Sequence, residues 1–267
     1  MVVSNRSLSR GLTILRVFNE IPAPTLTEIA TRVGLTKATC LRFLRTLQEE
    51  GYLSFNEQTK RYQLRPLILE LGYAALSSLS LPMIAEPEME ALAAEVRGSV
   101  NLSMLDGDEV VIVGRQVASR ETRNLVTMNI HIGTRLPAHC TAMGRVLIAT
   151  EVEDIPAFVS TMRVTKMTPK TLIHRAHLAH EIQEAGQRGW AVVEEQLGLG
   201  YSAIGVTVRT GGSQAFGLAV SVPSKEFTRA RLVREVLPLL QAAADRLERA
   251  FAHSSPGGVP EIRRELA

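Results

Sequence analysis

Residues 25–64 read TLTEIATRVGLTKATCLRFLRTLQEEGYLSFNEQTKRYQL, and the order of the signals inside this stretch decides the fold of the first part of the chain. Thr25-Leu26-Thr27-Glu28 has capping-box spacing: a hydroxyl to accept an orphan backbone N–H, and a carboxylate three residues on to reach back. A short helix through Ile29, Ala30 and Val33 follows and stops at Gly34, which adopts the left-handed conformation of a sharp turn without steric cost. Thr36 caps the next helix after one intervening residue. Two helices joined this tightly form a helix-turn-helix.

The second of them, Lys37 to Glu50, has two unlike faces. At about 100° per residue, Leu44 and Leu47 fall within about 40° of Cys40, a buried stripe with Phe43 at its edge. Ala38 and Arg42 lie opposite, with Arg45 beside them. Two guanidinium groups around a small residue suit a major groove, since Arg pairs two-pronged with guanine and Ala allows close approach. The same composition also suits an ordinary solvated helix face.

Upstream, Leu8, Leu12, Leu15 and Phe18 recur at helical spacing, a first helix that Ile21-Pro22-Ala23-Pro24 terminates. Downstream, Gly51–Phe55 and Arg61–Leu64 alternate around the polar turn Asn56 to Lys60, which predicts a β-hairpin. Lys60 and Arg61 fall at or beside its tip, where a hairpin reaches phosphates. Tyr52, Phe55, Tyr62 and Leu64 are expected to face the helices. Three helices and a hairpin in this order make a winged helix-turn-helix.

Charge is divided to match. Up to residue 80 the chain carries ten Lys/Arg against six Glu, +4, which leaves −1 of the total +3 for everything after it. A basic small domain on a near-neutral larger one is the footprint of a nucleic-acid reader. With 45% apolar and 21% charged residues, the 267-residue chain has the composition of a globular protein and is long enough for two domains. No apolar run approaches the roughly 18 residues of a membrane span, and no apolar segment of signal-peptide type follows the basic N-terminus. A cytoplasmic protein without a membrane partner is expected.

The stretch LTEIATRVGLTKATCLRFLRTLQEEGYL with the YQL strand resembles the DNA-binding domain of the IclR family of bacterial regulators, and the resemblance continues through IGTRLPAHCTAMGRVLIA. It spans about Ser7 to Phe251. It implies an α+β chain with a winged helix-turn-helix domain (1–66), a linker helix (67–81) and a GAF-like effector-binding domain with an antiparallel sheet (82–252); the Ser254-Ser255-Pro256-Gly257-Gly258 composition separately reads as a flexible tail (253–267). The candidate DNA-binding set is Thr36, Lys37, Ala38, Thr39, Leu41, Arg42 and Arg45, with Lys60 and Arg61 of the wing. The partners implied are a double-stranded operator, a small organic acid and further copies of the chain, as dimer or tetramer. Whether the regulator activates or represses stays open.

After Pro82, helices alternate with short strands, as in an α+β domain. Strands are expected at 101–105, 110–115, 190–194, 204–208 and 216–222; helices at 88–97, 141–149, 155–161, 174–188 and 226–251. Gly211-Gly212 reads as the hairpin turn between the last two strands. Gly133 to Gly144 leads into a helix starting near Thr141, whose first N–H groups lack intrahelical partners and suit a carboxylate. Thr141 also reads simply as a helix cap. The resemblance implies that the backbone N–H groups of Ala142 and Met143 hold the effector. At other pocket positions, where some members carry Asp, Cys and Ser, this chain has Val193, Ala203 and Ala219. Ser221 keeps a hydroxyl, and Tyr201 brings a phenol. An apolar lining with a phenol favours a larger or aromatic acid. The wording TRLPAHCTAMGRVL resembles the branch controlling protocatechuate and hydroxybenzoate catabolism, which implies an aromatic acid or its ring-cleavage product.

Other constellations carry less. His174, His177 and His180 repeat every three residues, but the first and third lie about 120° apart around a helix and no further ligand joins them. His139 next to Cys140 in sequence is not the spatial base–nucleophile arrangement of catalysis. The only cysteines, Cys40 and Cys140, read as small buried hydrophobes. No catalytic residue, metal or cofactor is expected. Two rival readings are an enzyme acting on a small acid with an accessory DNA-binding domain, and a winged helix used for protein contacts.

Overall fold

A computed structural model of the chain describes residues 5–78, 82–118, 130–210 and 215–253. It divides into two units, Met1–Leu79 and Ser80–Ala267. The expected tail at 253–267, apart from the helical His253, and the Gly211-Gly212 turn lie outside the described residues, as do 79–81 of the linker.

The first unit contains α1 (Arg6–Val17), α2 (Leu26–Val33), α3 (Lys37–Glu49), a hairpin of β1 (Leu53–Asn56) and β2 (Arg61–Leu64), and α4 (Leu67–Ser78). The starts of α1, α2 and α3 are each set by a side chain. Asn5 Oδ1 accepts the Ser7 and Leu8 amides. The capping box closes reciprocally, with Thr25 Oγ1 accepting the Glu28 amide at 3.3 Å and Glu28 Oε2 accepting the Thr25 amide at 2.7 Å. Gly34, at φ 64°, ends α2, and Thr36 Oγ1 caps α3 by accepting the Thr39 amide. Ile14, Val17, Phe18, Ile29, Ala30, Cys40, Leu44, Leu53 and Tyr62 form the core.

The structure assigns a face that the helical spacing of α1 left open, and corrects one expectation about the wing. In α1 the buried face is Ile14, Val17 and Phe18, whereas Leu8 and Leu12 are 61% and 51% exposed. Their helical spacing is real, but it marks a second apolar face. In the wing, Leu53 and Tyr62 are buried against the helices, whereas Leu64, the cross-strand partner of Leu53, is exposed.

The second unit is built on a six-stranded, fully antiparallel sheet in the order β5-β4-β3-β8-β7-β6. Its strands are β3 (Ser99–Asp106), β4 (Glu109–Val117), β5 (Arg135–Pro137), β6 (Trp190–Glu194), β7 (Tyr201–Arg209) and β8 (Ala215–Pro223). The helices are α5 (Pro82–Val96), α6 (Ala142–Glu151), α7 (Ile155–Thr161), α8 (Arg175–Arg188), a short turn α9 (Arg229–Arg231) and α10 (Leu237–His253). α6 covers one face and packs on α8; α5 and α10 pack together on the other.

The boundaries differ most from expectation at four places. β5 is a three-residue edge strand with too little pattern to read. β7 begins three residues earlier, at Tyr201. α5 runs back through Pro87 to Pro82, although Pro87 forfeits one backbone hydrogen bond there. The last helix starts not at Glu226 but at Arg229, capped by Thr228, and widens into a π-turn over Leu232–Val236.

Candidate functional site

On α3, Thr36, Lys37, Ala38, Arg42 and Arg45 are exposed, and Thr39 and Leu41 are half-buried. The ion pairs of this unit among the described residues join Arg32 to Glu20, Lys60 to Glu57 and Arg61 to Glu28. Arg42 and Arg45 therefore stand unpaired on one helix face, and Lys37 unpaired at the helix start, available to an external anion. The two threonines are engaged locally, as Thr36 Oγ1 donates to Thr39 Oγ1 at 2.9 Å. Of the wing cations, Lys60 sits at the tip in the left-handed region (φ 55°), with Nζ 2.8 Å from Glu57 Oε2. Arg61 points inward: its Nη1 donates to the Ala23 carbonyl at 2.6 Å and lies 3.5 Å from Glu28, tying the hairpin to the start of α2.

In the second unit, register brings together residues far apart in sequence. Ser99 on β3 pairs with Ser221 on β8, Ser221 with Ala203 on β7, and Ala203 with Val193 on β6. These four make one row across the sheet. The next row on the same face is Asn101, Ala219, Gly205 and Ala191. Side chains this small let α6 lie close to the strands. A Cβ at Gly205 would stand 3.0 Å from the Met143 nitrogen, and one at Gly217 would stand 2.8 Å from Met143 Cβ.

Between the first row and the start of α6 is a small, largely apolar cavity. Ala142, Met143, Val193, Tyr201, Ala203, Ala219 and Ser221 all line it. Thr141 Oγ1 accepts the Gly144 amide at 3.1 Å, and the Thr141 carbonyl accepts the Arg145 amide at 3.1 Å. The cap thus leaves the Ala142 and Met143 amides, the first two of the helix, without an intrahelical acceptor.

The lining also includes residues that sequence reasoning missed: Ser99, Asn101, Leu136, Cys140 and Gln196. Ser99 is 1% exposed and its hydroxyl has no hydrogen-bond partner among the described residues. Asn101 Oδ1 accepts from Arg115 Nη1 at 2.8 Å. A signal was present, since Ser99, Asn101 and Ser103 alternate as polar residues in an otherwise apolar strand and so share one face.

Comparison with known proteins matches residues 7–57 to the IclR helix-turn-helix domain and residues 73–249 to the bacterial transcriptional regulator IclR C-terminal domain. The chain belongs to the IclR family of transcriptional regulators. This IclR-family chain is 32% identical over 241 residues to the Pca regulon regulatory protein of Pseudomonas putida, covering 89% of this chain and 81% of that one. It is 28% identical over 246 residues to the p-hydroxybenzoate hydroxylase transcriptional activator of Acinetobacter baylyi, covering 90% and 89%. An IclR homolog from Microbacterium hydrocarbonoxydans, solved in complex with 4-hydroxybenzoate, shares the fold at TM-score 0.77 and 22% identity, covering 92% of this chain and 98% of that one.

These relatives are regulators, and the regulator's Cys–His pair carries no chemistry of its own. Burial pushes the Cys140 thiol up to about 12, so it is a neutral cavity wall and not a thiolate. His139 is fully buried; its Nε2 lies 2.9 Å from the Thr165 carbonyl, Nδ1 has no partner among the described residues, and burial holds its pKa below the usual value. His174 and His177 stack at 4.4 Å between ring centroids. Among the described residues no three His, Cys, Asp or Glu converge on a metal position, and no helix is long and apolar enough to cross a membrane.

Proposed function

We propose that this regulator reads operator DNA through the α3 face and responds to an aromatic acid held in the cavity under α6. Ala38, Arg42 and Arg45 read base edges, with Thr36, Lys37, Thr39 and Leu41 placing the helix start against the backbone; Lys60 meets phosphate from the wing tip. Arg61, engaged by Ala23 and Glu28, acts by fixing the wing and contacts phosphate only through its exposed edge. The domains are assigned as 1–66 for DNA binding, 67–81 as linker and 82–252 as sensor.

The observation that carries the effector assignment is the cavity itself: two free helix-start amides at one end, an unpartnered Ser99 hydroxyl in its wall, and apolar Val193, Ala203, Ala219 and Met143 between them. A carboxylate suits the amides of Ala142 and Met143. A flat apolar ring suits the small-residue floor, and a ring hydroxyl suits Ser99, Ser221 or the Tyr201 phenol. The names of the Pseudomonas and Acinetobacter relatives point to the same chemistry, and the Microbacterium structure indicates a fold able to enclose an acid of that size.

The regulator is a homo-oligomer in this reading, dimeric through its first unit. Leu8, Leu12, Leu69, Leu71 and Tyr73 are all at least half exposed on α1 and α4, more apolar surface than a helix pair leaves to water without a partner. An acid then shifts operator affinity by binding one arrangement of the paired domains more tightly than the other. Gel-shift titration of the flanking intergenic DNA, with and without 4-hydroxybenzoate and 3,4-dihydroxybenzoate, tests the assignment. A shift in operator affinity with these acids and not with acetate is the expected result; operator binding indifferent to every aromatic acid overturns it.

A further inference from the structure

A second cleft adjoins the effector cavity, with Gln196 lining both. Its charged walls are Arg145, Lys170, Glu181, Glu194 and Arg229. Arg145, in the first turn of α6, is 2% exposed. Its Nε donates to the His139 carbonyl at 2.9 Å and its Nη2 to Gln196 Oε1 at 2.7 Å. Nη1 has no protein acceptor among the described residues, and no carboxylate there lies within ion-pair distance of the guanidinium.

The neighbouring acids are committed elsewhere. Glu181 pairs with Arg188 at 3.8 Å, Glu194 stands 3.9 Å from Arg229, and Lys170 pairs with Glu195, which is not a cleft residue. A buried guanidinium held only by neutral oxygens is a costly arrangement without a counter-ion, and its unpaired edge has the fork geometry that matches a phosphate. Glu181 and Glu194 oppose an anion. Lys170 and Arg229, both partly exposed at the same cleft, offset them.

We propose that this cleft is an anion site, separate from the effector cavity, that takes a phosphate group on Arg145 with Lys170 and Arg229 closing over it. The class is a tetrahedral oxyanion, either free phosphate or a phosphate monoester. Gln196 separates it from the acid's seat at Ala142 and Met143, so the proposal does not depend on the nature of the effector.

Isothermal titration of the full chain with inorganic phosphate, at ionic strength held constant with chloride, tests it. Saturable binding is expected, weakened by at least about tenfold in the Lys170→Gln/Arg229→Gln double variant and in Arg145→Gln. Phenyl phosphate in a parallel titration distinguishes the sources: binding as tight as inorganic phosphate assigns a carried phosphate group, and exclusion assigns the free ion. Because Arg145 is buried, Arg145→Gln has a second readout in its melting temperature; if it does not fold, the exposed double variant decides alone. Absence of saturable heat, or binding undiminished in the double variant, overturns the proposal.

Discussion

Gly205 on β7 lies directly beneath the amide of Met143, so close that a Cβ at 205 would stand 3.0 Å from that nitrogen and 3.2 Å from Ala142 Cβ. The missing side chain is what lets the helix start descend onto the sheet, where its free amides close the cavity. Gly205→Ala should lift the first turn of α6 at a cost of about 1–3 kcal/mol, the usual penalty of overpacking. Urea denaturation measures that cost, and calorimetric titration should show weakened acid binding. If both quantities stay at their wild-type values, the close seat does not shape the site.

Ser99 offers the opposite trade. Its buried hydroxyl lacks a partner among the described residues, and an unsatisfied buried polar group costs about 1–3 kcal/mol. Ser99→Ala should therefore leave the ligand-free protein as stable as wild type or more so, while lowering affinity for a hydroxylated aromatic acid by about 1 kcal/mol, roughly fivefold. Benzoate, lacking the hydroxyl, should bind both proteins alike. A variant that loses affinity for benzoate and 4-hydroxybenzoate equally would show that Ser99 shapes the cavity without bonding to the ring.

The two halves of the chain were unequally legible for physical reasons. In the first unit the deciding signals are local: Thr25 and Glu28 are three residues apart, and Gly34 ends its helix by its own conformation. Where contacts were not local, reading failed. Leu8 and Leu12 repeat with helical spacing, and nothing local says that Ile14 and Val17 take the core side. In the second unit, β8 is buried on both faces over most of its length, which erases the alternation that marks a strand, whereas Ser99, Asn101 and Ser103 keep it in β3. The cavity was partly legible: Ala142 and Met143 follow a cap that can be read from Thr141, and the resemblance to the family supplied Val193, Tyr201, Ala203, Ala219 and Ser221. Ser99 could not be placed beside Ser221 until the pairing of β3 with β8 was known.

His139 gives the sensor an acid limit. Burial keeps its imidazole neutral below the usual pKa of 6.5. As pH falls through that value the unfolded chain takes up a proton that the native state resists, so the unfolded state binds more protons and stability falls. The contribution is intact above about pH 6.5 and declines below it, by at most about 1.4 kcal/mol per pH unit for one group. His139→Phe loses the bond to Thr165 and should be less stable at pH 7.5, yet its denaturation midpoint should fall less steeply between pH 6.5 and 5. An unchanged slope would place the acid sensitivity elsewhere.

The exposed apolar residues of α1 and α4 bear on assembly. Leu12→Glu and Tyr73→Glu alter side chains that are 51% and 75% exposed, so the isolated fold should tolerate them, with stability changes within about 0.5 kcal/mol. Together they should shift sedimentation from oligomer toward monomer and cut operator affinity, because a lone half-site reader loses the second contact. Wild-type sedimentation in the double variant would move the interface away from these helices.

Arg42 and Lys60 should differ in kind as well as degree. Arg42 projects from α3 without an ion-pair partner among the described residues, whereas Lys60 stands at the wing tip beside Glu57. A guanidinium reading a base edge contributes discrimination, so Arg42→Ala should cost about 1–3 kcal/mol on the operator and relax preference at one base position. A lysine at a phosphate contributes through counterion release, so Lys60→Ala should weaken specific and random duplexes alike and lower the salt slope by about 1. Fluorescence anisotropy on both duplexes from 50 to about 200 mM salt separates the two behaviours. Equal losses on both duplexes for Arg42→Ala would remove it from base reading and leave α3 as a backbone contact.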